Sequence, residues 1–169
     1  MINSNIMFGI QLKKLIKYLD ITNSAFAVNC DIRAYDSIKK YIAGEVVPDM
    51  ATLNKILDRY PVTMDWLYYN KGEMWRDGKD YFEARFEEIT KPENLKKKGY
   101  QNTLKSKIEI LLEVYETSVT GVARRLNINK HTLHNIRNDR KTFLKRTEIA
   151  KFRLAIPFIP YEWYLTDFT

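Results

Sequence analysis

The chain holds one cysteine, Cys30, among 169 residues. A lone thiol excludes an intrachain disulfide framework and fits a reducing compartment. No apolar run comes near the roughly 18 residues that a membrane span requires. The stretch from Met1 to Phe8 lacks the basic start and long apolar core of a secretory leader, so the expected location is the cytoplasm and no membrane partner is expected. Patterns of common catalytic centres are missing as well. There is no phosphate loop, no paired carboxylates in a cleft pattern and no nucleophile–histidine–acid set. The expectation is therefore not an enzyme, with no cofactor and no evident small-molecule substrate. No segment reads convincingly as a strand, and what remains is helical periodicity.

What is present is a long internal repeat. Leu12, Leu15, Ile16 and Leu19 recur 96 residues on as Ile108, Leu111, Leu112 and Tyr115, apolar at i, i+3, i+4 and i+7 both times. Ala27 and Ile32 recur as Ala123 and Ile128. Ile38 and Tyr41 recur as Leu133 and Ile136, and Trp66 recurs as Trp163, the offset drifting by one as short loops differ. A repeat this long is a duplicated domain and not a solenoid of small units. The predicted fold is all-α: a first domain over 1–75, a linker over 76–102 that can hold a helix, and a second domain over 103–169. The hydrophobic content of 45% and aromatic content of 13% suffice for two modest cores.

Each repeat reads as about five helices. In the first, they run over Phe8–Leu19, Ala25–Asn29, Ala34–Ala43, Met50–Tyr60 and a short one through Trp66. Thr22, Asn23 or Ser24 can cap the second, Asp49 the fourth, and Gly44 can end the third in a left-handed turn. In the second repeat, Thr103 opens a helix ending near Glu116, Thr120 matches Ser24 as a cap, Lys130–Asn138 is the third helix, and Arg146–Ala155 is the fourth with Ile149, Phe152 and Leu154 inward. Trp66 and Trp163 are expected at equivalent core positions. In the linker, Asp80–Ile89 has an aromatic stripe suited to packing on a domain, Pro92 ends that helix, and Lys96 to Gly99 read as exposed connection.

The first repeat resembles the phage-repressor-like helix-turn-helix domains of lambda and Cro type. Three stretches carry the resemblance: Ser24-Ala25-Phe26-Ala27; Ile38 and Tyr41 followed by Gly44 and Pro48; and Met64-Asp65-Trp66-Leu67 with Gly72-Glu73-Met74 after it. It covers about residues 6–75. The second repeat is similar in its apolar frame, Ala123 and Trp163, but has Asn138-Asp139 where the first has Ala43-Gly44. Many repressors of this kind carry a β-rich self-cleaving domain with a Ser/Lys pair. A second helical repeat stands there instead, so the resemblance does not extend to induced self-cleavage. It implies two tandem helix-turn-helix domains binding double-stranded DNA, each with its third helix in the major groove.

The residues themselves point the same way. With Leu133 and Ile136 inside, His131, His134, Asn135 and Asn138 form one polar stripe on the opposite face. Asparagine pairs bidentately with adenine, and histidine donates to guanine or phosphate. Lys130, Arg137, Arg140 and Lys141 flank the stripe as phosphate contacts. The matching stripe of the first repeat is Asp36, Lys39, Lys40 and Ala43, with Arg33 and Tyr35 at the helix start. Lys39 and Lys40 suit phosphate, and Arg33, Tyr35 and Asp36 face base edges, Asp36 only where a cytosine amine can donate to it. The formal charge of +7 is uneven, with 12 basic against 7 acidic residues in 103–169. Such an excess favours a polyanion.

The bland alternatives are a solvated polar face, a basic charge serving solubility, and a first repeat that supports oligomerisation. His131 and His134 could make one edge of a metal site, but zinc needs three or four ligands and Cys30 sits in the other repeat, so no metal is expected. Cys30 fits a small buried residue better than a nucleophile. The leading function is a sequence-specific double-stranded DNA-binding transcriptional regulator of bacterial or prophage type, and a homodimer is compatible with it. The alternative is a protein-interaction module on the same fold, an antitoxin or phage antagonist, which an exposed apolar patch would favour.

Overall fold

The spacing of apolar residues by three and four is realised as helix along the chain. In a computed structural model, residues 4–33 and 35–164 are described, with Ser4 and Tyr35 described by backbone alone. Among them are twelve helices and one isolated antiparallel bridge, Val62 to Trp75. The fold is all-α. None of the described helices is long and apolar enough to cross a membrane. The chain divides into two compact units, Met1–Tyr81 and Phe82–Thr169.

The first unit holds α1 (Ser4–Leu19), α2 (Asn23–Asn29), α3 (Tyr35–Ala43), α4 (Met50–Arg59) and α5 (Met64–Tyr69). Leu12, Leu15, Ile16 and Leu19 are buried along α1, which packs on α3 and α5. Gly9 lets α3 touch α1 backbone to backbone, because a Cβ there would lie 2.5 Å from the Tyr41 carbonyl oxygen and 2.6 Å from that of Ile42. Thr22, Asp49 and Thr63 accept the first free N–H groups of α2, α4 and α5. Trp66 is half-buried, and its carbonyl accepts from the fully buried Gln11 at 3.1 Å. The buried tryptophan is Trp75, stacked on Tyr81 with centroids 5.9 Å apart. Tyr81 meets Tyr60, which stacks on Phe26.

The second unit takes α6 (Tyr81–Ile89) from Phe82 onward, then α7 (Pro92–Lys98), α8 (Leu104–Val114), α9 (Val119–Arg125), α10 (Lys130–Arg137), α11 (Arg146–Ala155) and α12 (Tyr161–Tyr164). The 76–102 stretch therefore carries two helices. Pro92 does not only end α6; it begins α7, at the position where a missing N–H costs nothing. Lys96, Lys97 and Lys98 form the last turn of α7, and Gly99 closes it at φ 68°. The aromatic stripe of α6 packs within its unit: Phe82 against Tyr115, and Phe86 against Phe158 and Trp163. Arg85 donates to the Val114 and Glu113 carbonyls at 3.0 and 2.8 Å and pairs with Glu116, clipping α6 to the free end of α8. Two expectations are corrected. Ser118, not Thr120, caps α9, accepting from the Gly121 N–H. Leu154 does not face inward; it is 86% exposed, while Phe152 on the same helix is buried.

Among the described residues, three successive helices of each unit end alike, in matching pairs. Asp20, Asp31 and Gly44 follow α1, α2 and α3 with φ of 55°, 50° and 72°. Glu116, Asn127 and Asp139 follow α8, α9 and α10 with φ of 49°, 51° and 56°. Each turn lets the next residue donate back to a carbonyl five earlier, Ile32 to Ala27 at 2.8 Å and Ile128 to Ala123 at 3.0 Å. The recurring Ala-to-Ile gap is this closure written in sequence. Asp139 supplies the left-handed turn that Gly44 supplies in the first unit, so the third helices exit alike.

Gly9→Ala should cost about 1–3 kcal/mol in chemical denaturation, because carbonyl oxygens of α3 would have to move. At Asn127, valine should cost about 1–2 kcal/mol through its left-handed backbone, and glycine should cost nothing. Equal stability of Asn127→Val and Asn127→Gly would show that the turn tolerates a right-handed residue.

Candidate nucleic-acid interface

α10 is placed by Leu133 and Ile136, both fully buried, with the helix packed on α8 and α9. Asn129 caps its start, accepting from the His131 N–H at 2.9 Å. At its end the Asp139 N–H donates to the Ile136 carbonyl at 3.0 Å and the Arg140 N–H to that of Asn135 at 2.8 Å. Lys105 Nζ holds the Asp139 carboxylate at 2.9 Å. Both ends being secured, the outer face is presented rigidly. His131, His134, Asn135 and Asn138 are all exposed on it. Their donors and acceptors are one and two turns apart, the arrangement that lets one helix meet successive hydrogen-bonding groups on a surface.

The flanking cations divide. Lys130, Arg137 and Arg140 are exposed, and no ion pair holds them among the described residues. Lys141 is committed elsewhere. Its Nζ lies 2.6 and 2.7 Å from the two carboxylate oxygens of Glu148, with the pair's side chains 17% and 15% exposed. Glu148 also accepts the Lys145 N–H at 2.7 Å, so it fastens the loop after α10 to the start of α11. Burial raises the Glu148 carboxyl, but the Lys141 hydrogen bond and the Lys145 N–H outweigh it and hold it below the ordinary value of 4.5. Lys145 and Arg146, at that junction, are exposed cations that the sequence reading did not single out. The run of basic residues from Arg137 to Arg146 was the available signal.

α3 is anchored by Ile38 and Tyr41, both buried. Asp36, Lys39, Lys40 and Ala43 are exposed on its other face, with Arg33 exposed before it. Lys39 Nζ lies 3.7 Å from Asp36, which partly cancels both charges. The Tyr35 side chain lies outside the described residues. The α3 face thus offers point charges and few groups with directional hydrogen-bonding geometry.

His131 and His134 are joined by no third ligand; among the described residues no cluster of three metal-ligating side chains occurs. Cys30 is 2% exposed, and burial pushes its thiol up to about 12 against a weaker pull from Arg59. It stays a protonated thiol at the end of α2. The chain matches no family model, no curated protein and no solved structure.

A carboxyl whose folded value lies below 4.5 contributes stability above that pH and loses it as the pH falls through the folded value. The stability gap between the parent chain and Glu148→Gln, measured by denaturant titration, should be full at pH 7 and shrink below about 4.5. A gap that stays constant to pH 3 would mean the carboxylate contributes through shape alone.

Proposed function

We propose that the chain is a sequence-specific double-stranded DNA-binding transcriptional regulator of bacterial or prophage type, acting in the cytoplasm and without catalysis of its own. The observation that carries the reading is the outer face of α10: two histidines and two asparagines, all exposed, on a helix fixed at both ends. Solvated helix faces are usually filled with strong helix formers such as Glu and Lys, and His and Asn are poorer ones. They are, however, the side chains that read base edges. Lys130, Arg137 and Arg140 beside them suit phosphates. The resemblance of residues 6–75 to phage-repressor-like domains, and the matched left-handed ends of the first three repeated helices, support a pair of readers on one chain. Regulation follows from occupancy: a bound regulator blocks or recruits polymerase at its site.

Within this reading the labour is unequal. α10 carries more of the base discrimination, and α3 mainly neutralises phosphate. A random duplex pool, selected at physiological salt, would supply the preferred site. Against that site and a scrambled one, Asn135→Ala should flatten the preference by about 1–3 kcal/mol and leave scrambled-site binding nearly intact. Lys40→Ala should weaken both sites together and lower the log–log salt slope by about one. An equal loss at both sites for Asn135→Ala would remove α10 from the readers. Failure to bind any duplex at low salt would remove the DNA reading altogether.

A further inference from the structure

The second unit carries another exposed surface, on α11, that this function does not use. Leu154 is 86% exposed, the most exposed of the large apolar residues described. It edges a groove of about 570 Å³ whose walls include Ala150, Arg153, Pro157, Ile159 and Tyr161. A smaller groove of about 220 Å³, bounded by Arg146 and Ile149, shares Ala150, Arg153 and Tyr161 with it. The two make one trough along the helix. Ala150, Leu154, Pro157 and Ile159 supply its apolar surface, and among the described residues the only charged groups lining it are the guanidiniums of Arg146 and Arg153. Arg153 lies 5.2 Å from the Tyr161 ring centroid, which holds its charge along the wall.

We propose that this trough docks an acidic amphipathic helix of a partner protein. An apolar trough running along a helix accepts another helix through side chains at i, i+3, i+4 and i+7. The two arginines call for Asp or Glu flanking those anchors. A second copy of this chain fits worse, since a symmetric contact would set Arg146 and Arg153 against the same residues across the axis. Nucleic acid fits worse, since its backbone offers nothing to an apolar surface carrying Leu154.

The test uses the full chain and two labelled helical peptides of one pattern, Leu with Glu and Leu with Lys, in fluorescence anisotropy. The Leu/Glu peptide binds and the Leu/Lys peptide does not. Leu154→Glu and Arg153→Glu, both surface changes whose folding is checked by circular dichroism, each weaken the Leu/Glu peptide at least about ten-fold. Equal binding of the two peptides overturns the proposal, as does Leu/Glu affinity unchanged by Leu154→Glu. A dimer in sedimentation that Leu154→Glu disperses overturns it in favour of a second copy. A ten-fold loss of duplex affinity in Leu154→Glu, with peptide affinity unmoved, overturns it in favour of a nucleic-acid contact. The peptide titration contains no duplex, so its outcome is separate from that of the DNA reading.

Discussion

Burial of two side chains on each third helix governs the rest of the arrangement. Leu133 and Ile136 in α10, like Ile38 and Tyr41 in α3, enter the interior three residues apart. A helix pinned at that spacing has its rotation settled, and every other position follows from geometry. The ends then need closing, because free backbone groups would otherwise loosen the last turns. Left-handed residues do this after α1, α2 and α3, and again after α8, α9 and α10. Five of these six residues are not glycine. The chain therefore bears backbone strain at several turns to obtain abrupt, well-bonded helix ends.

The two units solve one junction differently. In the first, α1 meets α3 without side chains between them, at Gly9. The equivalent position in the second is Lys105, and its ammonium reaches out to Asp139 at the exit of α10. One join is a steric fit and the other an exposed charge pair, worth little in itself. The second unit compensates with material the first lacks. α6 lays Phe82 and Phe86 against it, Arg125 stacks on Phe82 and Tyr115, and Arg85 caps α8. A short domain gains stability from each added apolar contact, and this one recruits the segment that precedes it.

Much of this was legible in the residues. The helical class, the bounds of α11, the burial of Leu133 and Ile136, and the outward stripe of α10 all follow from period alone. The positions of the left-handed turns were partly legible, since the Ala-to-Ile gap was visible before its cause was. Four features were not. Pro92 reads as a stop because proline breaks a helix interior, yet the same residue fits the first turn of a helix, as it does in α7. Thr120 is the counterpart of Ser24, whereas the backbone places the caps at Thr22 and its counterpart Ser118. Leu154 is apolar by type, yet Phe152 two positions earlier already takes the inward face of α11. The commitment of Lys141 to Glu148 needed the fold of the loop between α10 and α11, which no local pattern encodes.

The outer side chains of α10 take no part in holding it. The bonds that secure the helix use backbone groups, Asn129, Lys105 and Asp139, and the anchors point the other way. Positions 131, 134, 135 and 138 thus sit on a fixed frame without supporting it. They can be rewritten together without disturbing the scaffold, so the chemistry of this face can change, or be redesigned, far faster than the architecture.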